Sequence, residues 1–144
     1  MQAQHLIQSI DLRRTEVSQA QDEVTLWSDF LADCDRAVLH SVFLHNMQVR
    51  AVAAASRTSP DTLRKRIRRL LQRITSSEFQ FIARHIAVLP PPTKAIAQLC
   101  ILQGFSISEA SEKLRLAPNY VRQHRRMAVP MLTSLVASNT SGGA

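Results

Sequence analysis

The segment SPDTLRKRIRRLLQRI, residues 59 to 74, places Arg64, Lys65, Arg66, Arg68, Arg69 and Arg73 within ten positions and holds a single acid, Asp61. Guanidinium groups at that density suit phosphate oxygens, because each planar fork can donate two parallel hydrogen bonds to one anion. Residues 118 to 127, PNYVRQHRRM, combine arginines with Asn119 and Gln123. Those amides can pair with an adenine edge, as arginine can with guanine. Other chemistry is poorly provided for. His5, His40, His45, His85 and His124 fall at no zinc spacing, and neither a glycine-rich phosphate loop nor a nucleophile elbow occurs. Cys34 and Cys100 stand too far apart for a metal knuckle and are expected to be buried, reduced thiols. No metal, cofactor or catalytic centre is expected.

The formal charge of +7 is unevenly divided. Residues 1 to 35 carry seven acids against Arg13 and Arg14, while the remainder carries sixteen basic residues against four acids. Fifteen of the eighteen basic residues are arginine, a bias that fits nucleic-acid binding and that a GC-rich genome would also produce. The acidic stretch fits a solvated helix, a contact for a protein partner or a second copy of the chain, or a cover for the basic surface. No run approaches the roughly 20 apolar residues of a membrane span, and no signal-peptide core opens the chain. A cytoplasmic protein is the expectation.

The elements that must position these groups are helical. Leu, Ala, Arg and Gln dominate, and only three glycines interrupt the chain. Leu6, Ile10, Val17, Val24 and Trp27 form a loose helical stripe, with Trp27 as a core anchor. Phe30, Leu31, Cys34, Ala37, Val38, Ser41 and Val42 form a second, with Ser28 as its N-cap and Asn46 as a left-handed stop. A short helix, about residues 48 to 55, precedes the basic segment. There Ser59 caps, Pro60 presets the first turn, and Leu63, Ile67, Leu70, Leu71 and Ile74 face inward. Phe79, Ile82, Ala83 and Ile86 mark a further helix that ends at Pro90, Pro91 and Pro92. Thr93 is placed as the cap of the next, which stops at Gly104. Pro130 is expected to end or kink the last helix, and SNTSGGA reads as a disordered tail.

Shifting the chain by 58 residues aligns Val38 to Ile74 with Ile96 to Leu132 without a gap. Only Leu44, Arg57, Pro60, Arg64 and Arg68 are identical to their counterparts, yet the order of features recurs. A duplicated unit is the simplest account; two look-alike helical hairpins are the other. The second copy contains Leu89-Pro90, Gly104-Phe105, Ser106, Glu109, Ala110-Ser111, Leu114, Leu116, Ala117 and Val121. In that pattern it resembles region four of bacterial sigma factors and the related LuxR-type helix-turn-helix. The first copy resembles the same pattern through Val52-Ala53, Ser59-Pro60, Thr62-Leu63 and Arg64. The turn glycine of the family is replaced by Arg57 and Arg115, so the turn either differs or carries strain. Arg125 stands where Ile67 packs, and Ala117 is a poorer cap than Ser59.

The resemblance implies an all-α chain of two tandem helix-turn-helix units. Its expected layout is an acidic helical extension (1–27), a first unit (28–75), a connecting helix and Pro-rich turn (76–92), a second unit (93–136) and the tail. It also implies that the second helix of each unit enters a DNA major groove. Asp61, Arg64 and Lys65 would then lie on the groove side, with Thr62, Arg68, Arg69 and Arg73 at or near the backbone and Arg66 a further DNA-binding candidate. In the second unit Asn119, Tyr120, Arg122 and Gln123 take the groove side, with His124, Arg125 and Arg126 behind. A cationic, solvated helix face is the alternative. The implied partner is double-stranded DNA in the nucleoid. RNA polymerase or another regulator is compatible with the acidic segment, as is a homodimer.

Overall fold

The computed structural model describes residues 14 to 142, so Leu6 and Ile10 lie outside the described residues. The α-helices are α1 Arg14–Trp27, α2 Asp33–Leu39, α3 Val49–Ala55, α4 Pro60–Ile74, α5 Ser77–His85, α6 Thr93–Ala97, α7 Ile107–Leu114 and α8 Pro118–Gly142. No strand occurs among the described residues, and the fold is all-α. No described helix is long and apolar enough to cross a membrane. The chain divides between Ser76 and Ser77 into two units.

In the first unit α1 packs on α4 and on a π-helical segment, His40–Leu44, that prolongs α2. Val24 and Trp27 are buried from α1, as are Leu39, Val42 and Phe43 from α2 and its extension. The expected stripe of α4 is buried in full: Leu63, Ile67, Leu70, Leu71 and Ile74. Each such burial contributes about 1.5–3 kcal/mol. Like charges at i, i+4, as in Arg64–Arg68 and Lys65–Arg69, cost only roughly 0.2–0.5 kcal/mol a pair. Packing therefore wins, and the core can carry a cationic outer face. Ser59 accepts from the Thr62 amide at 3.1 Å, the expected cap.

Two expectations fail in this unit. Ser28 does not cap α2: it is buried in a 3₁₀ turn, 2.7 Å from His40 Nε2, and α2 begins after Ala32 without a side-chain cap. Cys34 is exposed, because the buried side of α2 runs through Val38 and Leu39 rather than through the first turn.

The second unit is built from α5, α6, α7 and α8, with Phe79, Ile82, Ile96, Ile101, Leu102, Ala110, Val121, Ala128 and Leu132 buried. α6 continues as a π-helical segment, Gln98–Leu102. Thr93 is its first residue rather than its cap, and Pro92 holds the cap position. α8 runs past Pro130 to Gly142, so the helix does not end at the proline and the expected disordered tail is helical as far as it is described. Pro130 lies on the exposed side of the helix, where the lost backbone bond costs least.

The two units repeat each other at the 58-residue spacing, over more of the chain than Val38 to Ile74. The π-helical segments coincide, at 40–44 and 98–102. So do the 3₁₀ turns Ser28–Phe30 and Ile86–Val88 that follow α1 and α5. Buried Leu31 and Leu89 correspond, as do Val24 and Ile82. Left-handed residues coincide at Asn46 (φ 53°) and Gly104 (φ 78°), and again at Arg57 (φ 55°) and Arg115 (φ 56°). The amide of Met47 reaches Ser41 O and that of Phe105 reaches Leu99 O, both at 2.9 Å. α1 is therefore the counterpart of α5. The segments expected as an extension and a connector each supply the opening helix of a repeat.

Candidate nucleic-acid interface

Helical geometry sorts the basic groups of α4. Asp61, Lys65, Arg68 and Gln72, separated by four, three and four residues, line the side opposite the buried stripe, and all are exposed. Arg69 is exposed beside them. Among the described residues Lys65, Arg68 and Arg69 have no ion pair. Arg64 is half-buried, and its Nη1 donates to Asp61 Oδ1 at 2.9 Å. The acid thus steadies an arginine at the edge of the cationic ridge.

Other sequence-derived candidates are engaged by partners within the first unit or are partly buried. Arg66 donates through Nε and Nη2 to Asp35 Oδ1 at 3.0 and 2.6 Å, which holds α4 to α2. Thr62 accepts from the Ser59 hydroxyl at 2.8 Å and belongs to the cap. Arg73 is half-buried, and its Nη1 is buried without a hydrogen-bond partner. Arg66 and Arg73 are thus partly withdrawn from the surface, whereas Thr62 stays exposed.

The same positions on α8 hold Asn119, Gln123, Arg126 and Pro130, all exposed. Arg122 donates to Asn119 Oδ1 at 2.6 Å, repeating the Arg64–Asp61 contact with an amide in place of the carboxylate. His124 is half-buried, with its Nδ1 2.9 Å from Thr93 Oγ1 and its ring 4.2 Å from that of Tyr120. Thr93 and His124 stand at the repeat positions of Asp35 and Arg66, so an Asp–Arg ion pair in one unit is a Thr–His hydrogen bond in the other. His124 is a structural group of the second unit, whereas Tyr120 remains exposed. Arg125, the counterpart of buried Ile67, is half-buried and pairs with Glu78 at 3.2 Å.

The turns before α4 and α8 are built alike. In the first, Arg57 N–H reaches Ala54 O at 3.2 Å and Thr58 N–H reaches Ala53 O at 3.0 Å, closing α3 with a left-handed residue. In the second, Leu116 N–H reaches Ser111 O at 3.1 Å. Glycine takes this conformation freely, and a side chain there costs about 1 kcal/mol. Both turns are therefore left-handed at a non-glycine residue and carry the corresponding strain, and both arginines are exposed.

α7 is closed at its start by a capping box: Glu109 N–H donates to Ser106 Oγ at 3.1 Å, and Ser106 N–H to Glu109 Oε1 at 3.0 Å. The Ser106 backbone bond, followed by that of its hydroxyl, holds the Glu109 carboxyl below the ordinary carboxylate range. Burial pushes the Cys100 thiol up, against the opposing charge of Arg125. Among the described residues no three His, Cys, Asp or Glu groups are arranged to hold a metal ion. No protein-family model matches the chain, and neither a curated protein nor a solved structure matches it.

Proposed function

We propose that this chain is a double-stranded DNA-binding transcription regulator built from two divergent helix-turn-helix units of the sigma region-four and LuxR type. One observation carries the reading: an exposed line of Asp61, Lys65 and Arg68, on a helix that follows a tight left-handed turn, recurs in register as Asn119, Gln123 and Arg126, and Lys65, Arg68 and the neighbouring Arg69 have no ion pair among the described residues. Such a surface suits phosphates and guanine and adenine edges. On this reading Asp61 and Lys65 face the groove, with Arg64, Arg68 and Arg69 toward the backbone. The protein would act at the nucleoid, in the cytoplasm.

The test is titration onto random and genomic duplex DNA at two salt concentrations, with wild type and with Lys65, Arg68 and Arg69 changed together to Ala. Binding that weakens by about 0.9 in log affinity per log salt for each phosphate contact is expected, and the triple variant should lose most of that slope. Absence of wild-type binding at low salt sinks the proposal.

A second reading is a sigma-like interaction module that binds RNA polymerase or another regulator. The weakly charged ridge of α8 favours it for the second unit, as do the exposed acids Asp22, Asp29 and Asp33 for an interface with a protein partner. Co-purification with polymerase by a protein that fails the DNA titration would establish it.

A further inference from the structure

We infer that Arg57, Arg64 and Arg68, together with their counterparts Arg115, Arg122 and Arg126, form two equivalent phosphate-contacting sets, one ahead of and along each of α4 and α8. This inference rests on the DNA-binding reading and adds to it two residues, Arg57 and Arg115, that belong to neither ridge.

The structure extends the repeat to residues 19–76 and 77–134, and across that register nine residues are identical: Leu31, Ala37, Leu44, Arg57, Pro60, Arg64, Arg68, Thr75 and Ser76. Most have a part in the fold. Leu31 and Leu89 are buried, Pro60 and Pro118 start helices, and the Thr75 and Thr133 hydroxyls bond Leu71 O and Val129 O at 2.7 and 2.8 Å. The arginines have no such part. Arg57, Arg68, Arg115, Arg122 and Arg126 are exposed, and Arg64 is half-buried. Buried positions have meanwhile drifted, Leu63 to Val121 and Leu70 to Ala128.

Arg57 and Arg115 carry the argument furthest. Folding alone favours glycine at a left-handed helix stop, yet both copies keep a long cationic side chain there at nearly the same φ. Arg64 and Arg122 are likewise held in the same way, each by the residue three before it. What both units share is the guanidinium pattern. What they do not share is the set of outward neighbours, Asp61 and Lys65 against Asn119 and Gln123. A shared set suits the part of DNA that does not vary, the phosphate backbone, and the unshared set suits the bases.

The experiment uses the full chain and a random-sequence DNA duplex, with binding followed by fluorescence anisotropy across a salt series. The double variant Arg57→Gly, Arg115→Gly is expected to melt at or above the wild-type temperature, since glycine relieves both turns. Its log affinity against log salt should be shallower by about 0.9 for each phosphate that is no longer neutralised, and random and preferred sequences should lose affinity alike. Arg57→Lys with Arg115→Lys should restore most of the slope by restoring charge. A wild type that binds, with a glycine variant of unchanged slope and affinity, overturns this inference and leaves the DNA-binding reading standing. A wild type that binds no DNA at low salt overturns both.

Discussion

Asp35 and Arg66 join α2 to α4 through a two-donor contact whose carboxylate is only 18% exposed while the guanidinium keeps some solvent. Asp35→Ala strands a half-buried guanidinium and is expected to cost about 1–3 kcal/mol, below the fully buried range because Arg66 keeps some solvent. Asp35→Leu combined with Arg66→Met should recover most of that loss in urea denaturation, since an apolar pair leaves no orphaned charge. If the double variant is as unstable as the single one, the contact is not what sets the cost. Glu109 gives a pH-dependent case. Its folded-state pKa is depressed by Ser106, so its stabilisation is present above the unfolded carboxylate value and disappears as pH falls through the folded one. The stability difference between wild type and Glu109→Gln should be widest near neutrality and close in the acid range, as read from denaturation midpoints across pH. A difference that does not vary with pH would exclude ionisation as the source.

At the scale of the element, α4 shows what the sequence makes legible. Its buried stripe, its Ser59 cap and its Pro60 start follow from periodicity and local backbone chemistry, and all three hold. Ile67→Ala should therefore cost about 2–5 kcal/mol, and Ser59→Ala about 1 kcal/mol, by chemical denaturation. A smaller loss at Ile67 would mean that the stripe is only loosely packed. Polar groups are harder to place. Ser28 and Thr93 have the composition of caps, but each is buried and bonded to a histidine twelve or thirty-one residues away, which no local signal encodes. The same holds for Arg66 and His124, each bonded to a residue thirty-one positions away. The shared opening helices α1 and α5 are hidden in the sequence because Val24 matches Ile82, and Leu31 matches Leu89, amid otherwise unrelated residues. Three-dimensional register shows the repeated order of elements where identity is too low.

At the scale of the molecule, each of the two units encloses buried residues of its own. Residues 77 to 144 should then fold when expressed alone, because Phe79, Ile82, Ile96, Leu102, Val121 and Leu132 are buried within a unit whose helices pack on one another. A domain of this size buries only about 60% of its unfolded surface, so a stability of a few kcal/mol is expected rather than a robust fold. The two cysteines supply a readout. In the full chain Cys34 should react with a thiol reagent at once, whereas Cys100 should resist until the second unit opens, both because it is buried and because burial keeps its thiol protonated. The isolated fragment should show a cooperative helical melt and the same protection of Cys100. In the full chain, Ile67→Ala should speed loss of structure in the first unit without speeding the labelling of Cys100. A fragment that is unfolded, with Cys100 labelled at the rate of a free thiol, would mean that the second unit needs the first in order to fold. The repeat would then be a duplication of sequence and backbone without independence of stability, and sequence-specific binding would have to be measured on the whole chain.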